Sequence, residues 1–319
     1  MKSFSEYTSK NSMINESSQH RHTLFPKNNM ELKMMVLDEI KKQGNEADLN
    51  HIDTSSIDDM SHLFRDESMF NGDISCWDVS NVTNMNNMFS NASAFNGDIS
   101  EWDVSNVKDM SRMFYNAAKF NGDISGWDVS NVQNMDNMFC CASSFNGDIS
   151  CWDVRNVSIM KSMFAYSNFN GNLKRWNLKN VKSTAFMFYN NKAFDQDISS
   201  WDVSNVEDMR RMFSKSVFNK DISSWDVSNV KSMAGMFMGS KFNIDISRWN
   251  VSNVEDFSNM FNESEYSYIE ELSEWNPARA ISIEGMFTDN KNDLLWFING
   301  VWDKKMRHPE FCKGLLDYI

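Results

Sequence analysis

Two columns of acidic residues have a spacing that suits metal chemistry. One runs through Asp73, Asp98, Asp123, Asp148, Asn172, Asp197, Asp221 and Asp245. The other runs through Asp78, Asp103, Asp128, Asp153, Asn177, Asp202, Asp226 and Asn250. If each period is one turn of the chain, the carboxylates line up as an oxygen ladder of the kind calcium prefers. The same residue types also make corners, because Asp and Asn accept nearby backbone N–H groups. The Asn substitutions suit a corner, and the glycine-rich nonapeptide of calcium-binding β-helices is missing. The columns are therefore read as turn formers, with calcium unlikely and no cofactor expected.

Other chemistry is sparse. Histidine occurs at His20, His22, His51, His62 and His308, with none between residues 63 and 307. Imidazole acid–base or metal chemistry is thereby nearly removed from most of the chain. A repeated Asp is not a pair of carboxylates tuned to different tasks, and no P-loop or GxGxxG is present. The expectation is a protein that is not an enzyme. Of the five cysteines, Cys76 and Cys151 share one repeat phase. At about 5 Å per stacked turn they lie roughly 15 Å apart, too far for a disulfide. Cys140 and Cys141 are adjacent and Cys312 stands alone. All five read as free thiols of a reducing compartment.

What positions these columns is a repeat. Trp77, Trp102, Trp127 and Trp152 lie 25 residues apart, and the series continues through Trp176, Trp201, Trp225, Trp249 and Trp275. Ile52 opens an imperfect first copy, making ten. Such a period marks an array in which each unit leans on its neighbours. In the unit from Trp77, the residues Val82, Met85, Phe89 and Ala92 fall at steps of 3, 4 and 3. That spacing predicts a short helix, with Asn81, Thr83 or Asn84 as its cap. Ile99, Trp102 and Val104 read as a short extended segment with alternating side chains. Strands about 4.8 Å apart opposite helices 8–10 Å apart would curve the array, strands inward. The Trp and Met-Phe columns are assigned to the core because they recur at inward positions.

Residues 1–28 read as a disordered polar tail. Residues 29–51 read as a capping helix and lead-in, with Met30, Met34 and Leu37 (joined by Val36 and Ile40) facing the array and Gly44 ending the helix. Residues 52–287 hold the ten units, and 288–319 read as a C-terminal cap. One residue is missing between Phe164 and Phe169, Phe213 and Phe218, and Phe237 and Phe242, marking a tolerant surface turn.

The net charge is −13. Residues 1–50 carry seven acids and seven bases, and 288–319 five of each, so the excess lies on the repeats. An acidic array disfavours nucleic acid and anionic membranes. The longest apolar run, residues 294–298, is far too short to span a bilayer, and residues 1–20 show no apolar signal core.

The phrases WDVSNVTNMNNMF and FNGDIS resemble the 25-residue repeats of BspA-family leucine-rich-repeat-like surface proteins, including mycoplasma-type surface lipoproteins. Residues 44–54 resemble the lead-in that often precedes such arrays. The resemblance implies an α/β repeat, a leucine-rich-repeat-like solenoid of about ten turns of 24–26 residues, each with a short strand and a short helix. It also implies binding at a cell surface or virion, whereas the lack of a signal or lipid-attachment Cys reads as cytoplasmic. No catalytic residue carries over.

The residue before each Trp varies: Cys76, Glu101, Gly126, Cys151, Arg175, Ser200, Ser224, Arg248, Glu274. Alternation points it outward, so Glu101, Arg175, Ser200, Ser224, Arg248 and Glu274 are the candidate partner contacts on the strand face. Lys174-Arg175 lies in the most divergent unit and is the candidate specificity point. The expected function is binding of another protein, with a surface adhesin or an assembly component as alternatives.

Overall fold

The computed structural model describes residues 22–287. The repeats stack as coils, numbered 1 to 10 from Ile52, and the backbone hydrogen bonds between neighbouring levels link residues 23 to 29 positions apart. Among the described residues there is one α-helix, α1 (Asn29–Gln43), and one turn of 3-10 helix, Glu271–Glu274. Neither the helix nor the strand expected in each coil forms.

The reason lies in where the backbone N–H groups go. In coil 2, the amides of Met85, Asn87, Phe89 and Asn91 donate to the carbonyls of Asp109, Ser111, Met113 and Tyr115 in coil 3, at 2.8–2.9 Å. The intervening amides of Met88, Ser90 and Ala92 fold back onto Met85, Asn87 and Phe89 at 3.0–3.1 Å. An α-helix would send every amide to the residue four before it. Here half of them leave sideways, and Asn87 and Asn91 take φ of 56° and 62°, which no right-handed helix permits. The stretch is a train of β-turns, and its apolar steps of 3 and 4 come from turn geometry. Parallel bridging is confined to single residues: the series Asp59, Asn84, Asp109, Asn134, Ile159, Ser183, Asp208, Ser232, Asp256 and Ser282, with the isolated pairs Leu24 with Ile52, Asp48 with Asp73 and Phe261 with Phe287 near the ends. No described helix within the coils sets a wider spacing on one side, so strand-inward curvature has no physical cause here.

The Trp segment is held differently again. Trp77 and Val79 are buried while Cys76 and Asp78 are exposed, so the alternation is real. Tight turns close it, Trp77 N–H donating to Ile74 O and Val82 N–H to Val79 O. Each indole then reaches one coil back: Trp102 Nε1 donates to Ile74 O at 3.2 Å and Trp127 Nε1 to Ile99 O at 3.1 Å. The Ile carbonyl therefore accepts from the Trp three residues on and from the Trp of the following repeat.

The aromatic columns are core, as their inward phase requires. Phe64, Phe89, Phe114 and their successors stack with centroids 5.3 to 5.9 Å apart. Phe95 and Phe120 belong to a second column with 6.0 Å steps, and Phe89 touches Phe95 at 4.0 Å within its coil. These near-parallel, offset distances are favourable ring geometry. Asn side chains add a polar ladder, with Asn106 Nδ2 donating to Ser80 O and Asn131 Nδ2 to Ser105 O, each at 2.8 Å.

The N-terminal edge is closed by α1. Asn28 accepts the Glu31 N–H at its start, and Gly44, at φ 90°, ends it. The face turned to the coils is Leu32 and Val36, both fully buried, with Met35 and Ile40 partly buried. Met30, Met34 and Leu37 instead point outward, with 74%, 66% and 37% exposure, which corrects the expected stripe. Polar groups fix this choice: Asn29 Nδ2 donates to Asp59 O and Ser61 O, and Lys33 Nζ to His62 O. They satisfy carbonyls that no preceding coil can reach, and so cover an open edge. Residues 22–28 are also ordered, contrary to the tail reading. Thr23 N–H donates to His51 O and Asp53 N–H to Leu24 O. Residues 1–21 and the expected cap at 288–319, with Cys312, lie outside the described residues.

The shortened turns have a specific repair. In full-length coils Ala92 O accepts the Phe95 N–H, and Ala117 O the Phe120 N–H. Where a residue is missing, a buried Ser replaces that Ala, and its hydroxyl accepts the amide instead: Ser167 for Phe169, Ser216 for Phe218, Ser240 for Phe242. Removing one acceptor leaves a buried N–H unpaired, at about 1–3 kcal/mol. Ser216→Ala is therefore expected to lower urea stability by about 1–3 kcal/mol at unchanged m-value. A change below about 0.5 kcal/mol, the level of a neutral surface substitution, would refute the repair.

Candidate functional site

Every residue of the row before Trp is exposed in the described structure: Glu101, Arg175, Ser200, Ser224, Arg248 and Glu274, with Cys76, Gly126 and Cys151. The structure thus brings the candidate contacts onto one line along the stack. They do not sit on strands. Each occupies the third position of the turn that begins at Ile, or at Leu173 and Leu272 for Arg175 and Glu274, so the face they form is a turn face, and the expected strand face is corrected accordingly. Turns suit variation because the side chain at this corner packs against nothing inside.

The two Asp columns flank the row. In the first, Asp73 Oδ1 accepts the Ser75 N–H and Asp98 Oδ1 the Ser100 N–H, each at 3.0 Å. In the second, Asp78 Oδ1 accepts the Ser80 N–H and Asp103 Oδ1 the Ser105 N–H, again at 3.0 Å. Asn172, Asn177 and Asn250 make the same bond to Lys174, Lys179 and Ser252. These are Asx turns, and they account for the mixture of Asp and Asn. Among the described residues no group of three or more His, Cys, Asp or Glu converges as a metal cluster would.

Those hydrogen bonds hold several carboxyls below their ordinary range. The Ser hydroxyl two residues on is the leading cause at Asp103 and Asp202, and its amide at Asp123, Asp148 and Asp221. At Asp197 the leading cause is the ammonium of Lys174, 2.7 Å away.

Lys174 belongs to a departure from the pattern. Around the junction of coils 5 and 6 the chain places Arg155, Lys174, Arg175 and Lys179 on the turn face, while both columns switch to Asn172 and Asn177. An open cleft of about 370 Å³ lies there, lined by Ser150, Cys151, Asp153, Arg155, Arg175 and Asn177, with Trp152 and Val154 at its floor. Arg155 is anchored by Asp153, its Nε 2.8 Å from Oδ2. Spacing showed Arg175, but the cleft and the part of Arg155 in it were missed. The signal for Arg155 was its replacement of the Ser found at that place in coils 2, 3 and 4.

The thiols divide by position. Cys76 and Cys151 are exposed and Cys140 is buried. Cys141 takes φ 61° where other coils use Asn91 and Asn116. Its sulfur is 3.7 Å from that of Cys140. This contact keeps the proton on Cys140 and pushes the Cys141 thiol below its ordinary range. No described helix is long and apolar enough to cross a membrane.

The Asp columns make stability depend on acid. A carboxyl whose folded pKa is depressed contributes stability that is complete above its unfolded value and is lost as pH falls through the folded one. The melting temperature should therefore hold from pH 7 to about 5 and fall below about pH 4. Asn at residues 123, 148 and 221 in place of Asp keeps the turn bond and should flatten that fall. An identical acid profile in this triple variant would exclude these three carboxyls as its source.

No curated protein and no solved structure matches the chain. The family described as "Mycoplasma protein of unknown function, DUF285" matches it three times in overlapping segments, residues 30–146, 120–217 and 196–294. These begin within α1 and cover the stacked coils, each segment spanning several of them. The chain belongs to the DUF285 family of mycoplasma repeat proteins.

Proposed function

We propose that this chain is a non-enzymatic solenoid that binds another protein through its turn face. The observation that carries this reading is the contrast between rows. Inward columns repeat Trp, Val, Met and Phe nearly without change, whereas the exposed row runs through Cys, Glu, Gly, Arg and Ser. Packing selects the former residues and leaves the latter free to serve recognition. The carboxylates of the flanking Asp columns suit a partner that brings Lys or Arg to most coils. Catalysis is disfavoured because the face presents copies of one motif.

The test is capture of the native partner, identified by proximity labelling in the host, with variants of the row. Arg175→Glu and Glu101→Lys are expected to weaken binding about tenfold, or 1.4 kcal/mol each. Lys119→Glu, exposed away from the row, should leave it unchanged. Equal affinity in all three variants would sink the turn-face reading.

The same reading leaves the Asp columns as corners and not as ion sites. Melting in chelator and in millimolar calcium is expected to agree within about 1 °C, since a ligand that binds only the folded state would raise the midpoint. A clear rise with calcium would restore the ladder.

A further inference from the structure

The cleft at the junction of coils 5 and 6 has an internal counterpart in the same chain. Cys151 and Cys76 occupy the same corner, and each sulfur lies near the hydroxyl of the preceding Ser, at 4.0 Å from Ser150 and 3.9 Å from Ser75. The backbone is the same and the surroundings are opposite in charge. Around Cys76 the positions hold Ser80, Asp98, Glu101 and Asp103. Around Cys151 the matching positions hold Arg155, Asn172, Arg175 and Asn177. Four changes within one corner remove three carboxylates and add two guanidinium groups.

These guanidinium groups are suitably disposed. Arg155 spends its Nε on Asp153, which orients the fork while leaving its terminal N–H groups to the cleft. Arg175 makes no hydrogen bond or ion pair among the described residues, although it is an exposed cation in a strongly acidic array. Asn177 contributes an amide, its Oδ1 held by the Lys179 N–H, which leaves the NH₂ donors available. A planar fork, a second fork and an amide donor around 370 Å³ are the groups that recognise a carboxylate with paired N–H bonds. The Asp columns on either side would repel the same group at every other corner, which confines it to this one.

We propose that this cleft seats a carboxylate-bearing segment of the partner protein, Asp or Glu side chains, as the one acidic contact in a face that elsewhere favours bases. The proposal rests on the turn-face reading and names the chemistry of one of its contacts.

Cys151 and Cys76 serve as paired reporters. The full chain is labelled with neutral dithiodipyridine, with and without an oligo-glutamate peptide, and peptide mass mapping gives each thiol's rate. At about ten times its dissociation constant the peptide should slow Cys151 about tenfold, with Cys76 unchanged. Arg175→Glu should abolish that protection. Arg175→Ser, which places there the residue already found at Ser200, should weaken it, with an unaltered melt in both variants. Equal slowing of both thiols, or slowing of neither, would overturn the proposal. So would protection by inorganic phosphate at matched ionic strength without protection by the peptide, because that outcome assigns a small-anion site. If peptide protection fails while Glu101→Lys still weakens the native partner, the cleft is refuted and the face stands. If protection succeeds while Glu101→Lys does nothing, the cleft stands without the face.

Discussion

The backbone amide that leaves its own coil is the interaction on which the structure depends. In the stretch from Met85 to Asn91, alternate N–H groups reach the next coil and the others close turns. Neither set suffices alone: the turns shape the coil, and the sideways bonds fix its distance and register to the neighbour. The arrangement demands left-handed backbone twice per coil. Asn fills many of these positions and Gly235 and Gly239 fill two others, but Arg112, Cys141, Tyr166, Phe186 and Lys215 also adopt it. A residue of that kind costs about 1–2 kcal/mol there. It persists because bonds to coils on both sides hold it.

Burial then follows from register. A fixed offset superimposes Trp on Trp and Phe on Phe, so ring stacking and the indole-to-carbonyl bond repeat at each step. The ends and the slips show the same constraint. At the first coil the free carbonyls are met by Asn29 and Lys33. At a missing residue a Ser hydroxyl takes over the carbonyl's role. In each case the polar backbone is satisfied and the apolar columns keep their phase, as buried N–H and C=O groups require.

This rigidity frees the outer corners. The residue before Trp is exposed and varies from coil to coil, while the Asp beside it is tied to an Asx turn. The functional reading therefore concerns deviations from the repeat. Coils 5 and 6 deviate most on this face, and there the charge reverses around a cleft. In a stack built from copies, only the coils that differ can present a distinct surface.

The sequence by itself determined the period, the number of coils, the inward columns and the exposure of the row before Trp. All of these follow from side-chain types recurring at fixed spacing. It also exposed the divergence at Arg175. It did not determine the secondary structure. Val82, Met85, Phe89 and Ala92 have helical spacing, but spacing records which side chains face inward and is silent on where each amide donates. The acceptor for Met85 is Asp109, 24 residues away, and only the stacked structure brings it within reach. The same holds for α1, where two apolar stripes competed to face the array and Asn29 and Lys33 decided between them through the carbonyls of coil 1. The cleft depended on the stack as well, because Arg155 and Arg175 are 20 residues apart in the chain and become neighbours when one coil is laid against the next.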